Sequence, residues 1–526
     1  MSDNPEKMVR DQEPISDRRQ SIEEVLTLNL QNSIGATPPD NDNDNSTKEF
    51  TPEKPWTVYG TTEKTMLVLL VSWAGFFSSV SSPIYLPAIT ELSKEFNVST
   101  ELMNLTVTMY SIFQGLGPAL WCPVADSIGR RPVYISCFVV YIGSCIGLAL
   151  SRWYWLIFGL RCAQSFGIAT TIALGSGVVS DVTTRKERGK YIGIFTGVSL
   201  VGNAFGPLIG GGLSSGLGWR SIFWFLVIAS GVSLVGLIFL YPETNRFIAG
   251  DGSVMPKNWW NKSLYAQLRR KIKGVPNIRA EDAGLKSHKL NVLTSVKMLR
   301  YADVSLALTP GAMHYTAWFM MITAQSSLLA SQYHFDSGQI GLSYLASGIG
   351  ALVGSIGSGR IMNWYYRKCM REIESARTAD GEAQSPEVEV DVYRARLGLS
   401  LIPSASVIVA CIVFGWTIER NVHYVVPLIF TAFASVGAMT LQNFIQTLLV
   451  DLFPKDSASS TAAANLTRCL LCAVGLAVVD RMIQTLGVGG AMTLVAGLCF
   501  LSAIPLVIVQ RIGPRLEQMR LQQATV

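Results

Sequence analysis

The chain has 526 residues, of which 49% are hydrophobic and only 15% are charged, whereas soluble domains carry roughly 25% charged residues. This composition argues against a soluble protein and favours a membrane protein. The net charge of +6 comes from basic residues that lie between apolar blocks rather than in one stripe, so no nucleic-acid partner is expected. The nine cysteines form no evenly spaced framework, and neither a metal nor a cofactor is expected.

The first 62 residues are polar and rich in Asn, Asp, Pro and Ser, which predicts a disordered tail. This tail lacks the apolar stretch of a cleavable signal peptide. We therefore expect the first apolar segment after it to direct membrane insertion.

Twelve apolar segments of about 20 residues follow the tail, and that length crosses roughly 30 Å of hydrocarbon. The first six are predicted at 66–87, 103–122, 132–150, 154–180, 190–212 and 220–241. The other six are predicted at 304–330, 339–362, 397–418, 423–449, 457–482 and 487–510. They are numbered here as spans one to twelve. The matching halves predict an all-α membrane protein of two six-helix bundles, as in internally duplicated transporters.

The predicted bundles cover residues 63–242 and 303–510. A polar and basic central segment, residues 243–302, lies between them, and a short tail of residues 511–526 ends the chain. The stretch 257–273 of the central segment combines cations with Trp and Leu residues. Such a composition allows a helix to lie along a membrane surface.

Clusters of Lys and Arg follow spans two, four, six and eight, whereas the alternate loops carry isolated cations. The positive-inside rule therefore predicts that both termini and the central segment are cytoplasmic in this multi-pass protein. The first loop on the other side contains Asn97-Val98-Ser99. This sequon makes Asn97 a candidate glycosylation site.

The loop after span two reads Asp126-Ser127-Ile128-Gly129-Arg130-Arg131. Gly129 permits a tight turn, and the two arginines can pair with carboxylates or cap nearby helix ends. Asp126 can complement the positive end of span three. The charges alone are equally consistent with a loop that only sets membrane topology.

Span four contains Arg161 and, three residues later on nearly the same helix face, Gln164. A guanidinium at membrane depth is costly, so Arg161 must face the protein interior or a water-filled path. A structural role, in which Arg161 bridges helices by hydrogen bonds, is the alternative.

Span five contains a dense run of helix-weakening residues: Gly202, Gly206, Pro207, Gly210 and Gly211. Each Gly costs about 1 kcal/mol against Ala in a helix interior and Pro about 3 kcal/mol. A membrane helix persists with such residues because its peptide groups must stay paired. The glycines predict a close helix crossing, which is either a static contact or a sliding surface.

A substrate pathway can be sought among the polar residues of the spans. The candidates are Arg161, Gln164, His314, Gln442, Gln446 and Arg468. The middle of the spans holds no Asp or Glu, and Asp480, near one end of span eleven, comes nearest. A cationic substrate usually needs a carboxylate at membrane depth, whereas guanidinium groups pair with carboxylates. The pattern therefore favours an anionic or neutral substrate.

These elements together resemble the major facilitator superfamily, in its twelve-span drug:proton antiporter branch and its fungal members. The loop after span two is similar to the signature Gly-x-x-x-Asp-Arg-x-Gly-Arg-Arg, with Ser127 in place of an Arg. The span-four run resembles Arg-x-x-Gln-Gly-x-Gly, and the span-five run resembles the antiporter signature Gly-x-x-x-Gly-Pro-x-x-Gly-Gly. Pro242-Glu243-Thr244 closes span six as in the family.

The resemblance implies a major facilitator fold in which the loop after span two is a cytoplasmic latch, with Asp181 as a partner for its arginines. It implies a monomeric secondary transporter in the lipid bilayer that exports a small molecule by alternating access, with protons as the coupling ion. Organic anions such as citrate-like carboxylates are the favoured cargo, and a polyspecific multidrug or toxin:proton antiporter is the alternative. The cell membrane is favoured over the vacuolar membrane. A transporter-like sensor or an enzyme fits the sequence less well.

Overall fold

The computed structural model describes residues 57–273, 278–279, 294–380, 391–453 and 457–525. These residues belong to one compact unit. Most of the predicted disordered tail, residues 1–56, lies outside the described residues.

The first six spans are helices joined by short loops. Span one comprises Thr61–Ser81, the 3-10 turn Pro83–Ala88 and Ile89–Glu95, and span two is Thr100–Ile128. Span three is Arg130–Ala149, and span four comprises Tyr154–Ile168 and Thr170–Val182. Span five is Arg185–Leu217 and span six is Arg220–Leu240.

The second six spans repeat this pattern. Span seven is Ala302–Gln332, span eight is Ser337–Asp380, and span nine comprises Val392–Leu397 and Leu401–Glu419. Span ten is Val425–Leu452. Spans eleven and twelve lie within Ser457–Thr525 and are separated by Gly487, whose φ of 73° breaks the helix. Glycine tolerates this left-handed conformation without a steric penalty.

Nine helical segments of the described residues are long and apolar enough to cross a membrane, and one of them, Ser460–Arg520, contains both span eleven and span twelve. Spans two and seven are equally long but less apolar. The predicted twelve-span pattern is therefore present among the described residues. The predicted bundle limits of 63–242 and 303–510 stay predictions.

The two halves meet mainly through two pairs of helices. Span two packs against span eleven, and span five packs against span eight. Within the first half, span one packs against spans four and five, and span three packs against spans four and six. Within the second half, span seven packs against spans ten and eleven–twelve, and span nine against span ten.

The central segment is more structured than a loop. It contains the short helix Arg246–Ala249, the 3-10 turn Trp259–Asn261, and the helices Leu264–Lys273 and Thr294–Met298. Two short strands, Val254–Met255 and Ile278–Arg279, pair in parallel. We call the face of the molecule that carries this segment the central-segment side.

The structure differs from the predicted tails at both ends of the described chain. Before span one, Val58 donates a backbone hydrogen bond to Asp251 at 3.0 Å and Tyr59 is buried. After residue 510, the helix continues to Thr525, and Arg520 forms a buried ion pair with Asp303 at 2.5 Å. Both differences arise from contacts with residues far away in the sequence, which composition does not reveal.

Candidate functional site

Arg161 is wholly buried between spans one, two and four. Its guanidinium donates hydrogen bonds to Gln164 Oε1 at 2.7 Å and to the Ser81 carbonyl at 3.3 Å. The guanidinium carbon lies 4.3 Å from the ring centres of both Tyr85 and Tyr110. Hydrogen bonds and cation–π contacts thus replace part of the hydration that burial removes.

The hydrogen-bonding capacity of Arg161 is not exhausted. Its Nε and Nη2 atoms are buried and have no partner among the described residues. No ion pair of the described residues includes Arg161, although the guanidinium stays charged at any physiological pH. Because buried donors are rarely left unpaired, these nitrogens point to an acceptor such as an anion or water.

Arg468 has a similar environment in the second half, where it is only half-buried. Its Nη2 donates to Asn465 Oδ1 at 2.6 Å, and its guanidinium carbon lies 4.6 Å from the Tyr315 ring centre. Its Nε is buried without a partner among the described residues. Asn465 in turn donates to the Gln114 carbonyl of span two at 3.0 Å. Arg468 therefore lies where the two halves meet.

The other predicted pathway residues give weaker evidence of a substrate path. His314 is buried, with Nδ1 2.8 Å from the Pro310 carbonyl and Nε2 2.7 Å from Ser404 Oγ, so both ring nitrogens are engaged within the second half. Gln442 is buried beside Gly311 of span seven. Gln446 is half-buried one turn further along span ten.

The glycine run of span five lies directly against span one. A Cβ atom added at Gly202 would lie 2.8 Å from both the Phe76 carbonyl oxygen and the Val80 nitrogen, and one at Gly210 would overlap the Ile84 backbone. A Cβ atom at Gly206 would lie 3.2 Å from the Val80 carbonyl oxygen. Only glycine permits the two backbones to approach this closely.

The opposite face of the same run contacts span eight of the other half. A Cβ atom at Gly211 would overlap Ser337, and one at Gly341 would lie 2.6 Å from the Pro207 carbonyl. Further along, Gly348 lies against Ala204. Span five is therefore held between spans one and eight by small residues on both of its faces, and we call this contact the glycine seam.

On the central-segment side, Arg130 pairs with two carboxylates. Its Nε lies 2.7 Å from Asp181 Oδ2, and its Nη2 lies 3.7 Å from Asp126 Oδ1. The absence of a side chain at Gly177 makes room for the guanidinium, because a Cβ atom there would overlap it. Arg246 adds two hydrogen bonds to the Asp181 carbonyl, at 3.0 and 3.1 Å.

Glu243 is the main acceptor at the start of span three. Its carboxylate accepts the backbone N–H groups of Arg130 at 3.0 Å and Arg131 at 3.1 Å. A carboxylate at a helix N-terminus satisfies orphan donors and complements the helix dipole. Burial raises the pKa of Glu243, and these N–H bonds oppose the rise. Gly129, with a φ of 114°, leaves the space that the carboxylate occupies.

The structure thus assigns to Glu243 the capping role that the sequence suggested for Asp126. Asp126 lies at the end of span two and pairs with Arg130 instead. The only sequence signal for Glu243 was its place in Pro242-Glu243-Thr244. Arg131 caps the end of span six, where it donates to the carbonyls of Ile238 at 2.5 Å and Tyr241 at 2.9 Å.

On the opposite side, carboxylates accept hydrogen bonds across the two halves. Asn104 donates to Asp480 at 2.6 Å, and Gln484 donates to Glu101 at 2.7 Å. Ser337 likewise donates to Glu91 at 2.5 Å. We call these three bonds the carboxylate clasp. Asp480, Glu101 and Glu91 line an open cleft of about 1090 Å³ between the halves.

Comparison with known proteins decides the family. A sequence model described as Major Facilitator Superfamily matches residues 71–476. The chain belongs to the Major Facilitator Superfamily. MFS antiporter QDR2 of Candida albicans is 37% identical over 463 residues, which are 88% of this chain and 91% of that protein.

Two further relatives of this superfamily have similar coverage. Quinidine resistance protein 1 of Saccharomyces cerevisiae is 34% identical over 89% of this chain and 86% of its own. Citrate exporter 1 of Aspergillus niger is 36% identical over 91% of this chain and 93% of its own. The predicted family and all-α fold are confirmed. The protein is a membrane-embedded secondary transporter of small molecules, not an enzyme.

Proposed function

We propose that this protein exports a small organic anion, such as a citrate-like carboxylate, in exchange for protons. The observation that carries the proposal is the pair of guanidinium groups, Arg161 and Arg468, each with a buried nitrogen that lacks a partner in the part of the chain that the structure describes. Among the described residues, Arg161 lies against two tyrosine rings and Arg468 against one, and neither forms an ion pair with a carboxylate. A carboxylate substrate supplies the missing acceptor, and guanidinium–carboxylate hydrogen bonds are among the strongest in proteins.

Charge also disfavours a cationic cargo at this location. Two unit charges 4 Å apart interact by about 4 kcal/mol at an effective dielectric constant of 20. A cation beside Arg468 meets a repulsion of this size, whereas a carboxylate gains an attraction of the same size. The similarity to a protein named citrate exporter, over 93% of that protein's length, supports the same choice.

Alternating access requires the two halves to change their contact, and we infer that the glycine seam is where they slide. Small residues on both faces of span five let it shift against spans one and eight without steric barriers from side chains. On the central-segment side, the Arg130–Asp181 pair and Glu243 hold the helix ends of the first half together. The carboxylate clasp holds the opposite side.

A polyspecific multidrug or toxin:proton antiporter is the second candidate. Tyr315, Trp318 and Phe319 form an aromatic cluster beside Arg468, with ring centres 5.4 to 6.1 Å apart. Such a surface suits apolar compounds of varied shape. The names MFS antiporter QDR2 and Quinidine resistance protein 1 favour this candidate.

We infer that the central-segment side faces the cytoplasm and that the protein resides in the cell membrane rather than the vacuolar membrane. The positive-inside rule supports this orientation. Asn97 lies on the opposite side in an exposed turn with a φ of 50°. That position suits a glycan acceptor, because a glycan needs an accessible loop outside the cytoplasm.

Efflux of labelled citrate from cells that express Arg161→Ala or Arg468→Ala tests the proposed site. Both variants should reach the membrane and lose most of the efflux, since each removes a guanidinium that meets the anion. Arg152→Ala and Arg481→Ala serve as matched controls, because these arginines are exposed and lie outside the proposed site. Wild-type efflux in both site variants would contradict the two-arginine site.

A further inference from the structure

The helix Leu264–Lys273 of the central segment, which we call the surface helix, turns its aliphatic side chains away from the protein. Leu264, Leu268 and Ile272 are spaced by four residues and therefore share one helix face. They are 60%, 55% and 75% exposed. A helix in contact with water on this face would expose polar side chains there instead.

The opposite face of the surface helix contacts the protein through cations. Arg269 is only 7% exposed; its Nε pairs with Glu63 at 2.9 Å and its Nη2 donates to the Val58 carbonyl at 2.6 Å. Arg270 donates to the Val254 carbonyl at 2.7 Å. The usual amphipathic arrangement is therefore largely reversed, with two arginines inward and the aliphatic side chains outward. An outward environment of lipid explains this reversal, because acyl chains accept apolar side chains without a hydration cost.

The contacts of the surface helix fix its level relative to the membrane. Glu63 lies in the first turn of span one, which begins at Thr61, and it also accepts the Gly60 N–H at 2.9 Å. The surface helix is therefore bonded to the chain where span one starts. In addition, Asn261 donates to the Ile128 carbonyl at 3.0 Å, where span two ends.

The residues around the surface helix match the membrane interface. Trp259 and Trp260, which precede it, are 78% and 41% exposed. Exposed tryptophans are enriched at the boundary between acyl chains and headgroups. Lys257 and Lys271 are also exposed. Lysine side chains at this depth extend their ammonium groups to lipid phosphates.

We propose that the surface helix lies in the membrane interface, with Leu264, Leu268 and Ile272 among the lipid acyl chains. The lipid bilayer is the partner because the helix is attached at the start of span one, the turn before it is attached at the end of span two, and the exposed Lys257 and Lys271 suit lipid phosphates. The Arg269–Glu63 pair then connects the lipid-bound helix to the first turn of span one. This inference does not rest on the proposed substrate.

A fluorescent label that reports polarity, attached at Leu268→Cys in the full-length protein in phospholipid bilayers, tests the proposal. Arg371→Cys is the matched control, because it is exposed on the same side of the molecule at the end of span eight. The described native cysteines are buried or half-buried, so protein without an added cysteine gives the background. Leu264→Cys is a second reporter on the same helix face.

The labels at residues 264 and 268 should emit at shorter wavelength than the label at 371. Lipids with a nitroxide on the acyl chain should quench them, and aqueous iodide should not. Quenching by iodide equal to that at residue 371 would place the face in water and overturn the proposal. Protection from both quenchers would mean that protein covers the face, and this outcome also overturns it.

Discussion

Gly202→Ala in span five perturbs the glycine seam by a single methyl group. The added carbon would lie 2.8 Å from the Phe76 oxygen and the Val80 nitrogen, whereas non-bonded atoms prefer about 3.5 Å or more. Span one must therefore move by roughly 0.7 Å, the difference between these distances. The neighbouring atoms belong to the backbone, so a change of side-chain rotamer does not relieve the overlap.

The expected magnitude follows from two opposing effects. Inserting a methyl group into a packed contact costs about 1–3 kcal/mol, and Ala gains up to about 1 kcal/mol over Gly in a helix. Gly202→Ala should therefore lower stability by about 1–2 kcal/mol. Gly197→Ala is the matched control on the same helix, because a Cβ atom there meets nothing within 4 Å. It should leave stability unchanged or raise it.

Thermal unfolding of the purified protein in detergent measures the difference between the two variants. Gly202→Ala should melt below the wild type and Gly197→Ala at or above it. If the seam also slides, Gly202→Ala should slow transport at temperatures where the variant is fully folded. Equal melting temperatures and equal transport for the two variants would refute the close approach of spans one and five.

Three further outcomes are expected. Glu243→Ala leaves two N–H groups at the start of span three without an acceptor, so the free energy of unfolding should fall by about 1–3 kcal/mol. Glu372→Ala, at an exposed position, is the control and should not change the melting temperature. Equal melting temperatures for the two variants would contradict the capping role of Glu243. Asp480→Asn removes one of the three titratable carboxyl groups of the carboxylate clasp, so export should respond less to external pH, and an unchanged pH profile would exclude Asp480 from coupling. Asn97→Gln should abolish a glycosidase-sensitive mobility shift on gels, and a shift that persists would place the glycan elsewhere.

The positions of the spans could be predicted from the sequence because they depend on local properties. Hydropathy over about 20 residues marks each span, and the dense glycines of span five mark a close helix crossing. Even so, hydropathy does not show where a helix continues beyond the membrane. Span twelve extends to Thr525, where the ion pair of Arg520 with Asp303 stabilises an otherwise polar end.

The side-chain contacts of the candidate site could not be predicted, because they join residues far apart in the chain. Glu243 caps a helix that begins 113 positions earlier, and Asn465 connects Arg468 to span two across 351 positions. The carboxylate clasp likewise depends on how the two halves pack. The sequence identified Arg161 and Arg468 by their cost in a membrane, but it did not reveal the tyrosine rings beside them.

The central claim is that the cargo is an organic anion, and transport by inside-out vesicles that contain the protein tests it most directly. Vesicles with an acidic interior should accumulate labelled citrate, and a protonophore should abolish the accumulation. A cationic dye should not accumulate under the same conditions. Accumulation of the dye without citrate would contradict the anion site and favour the multidrug antiporter.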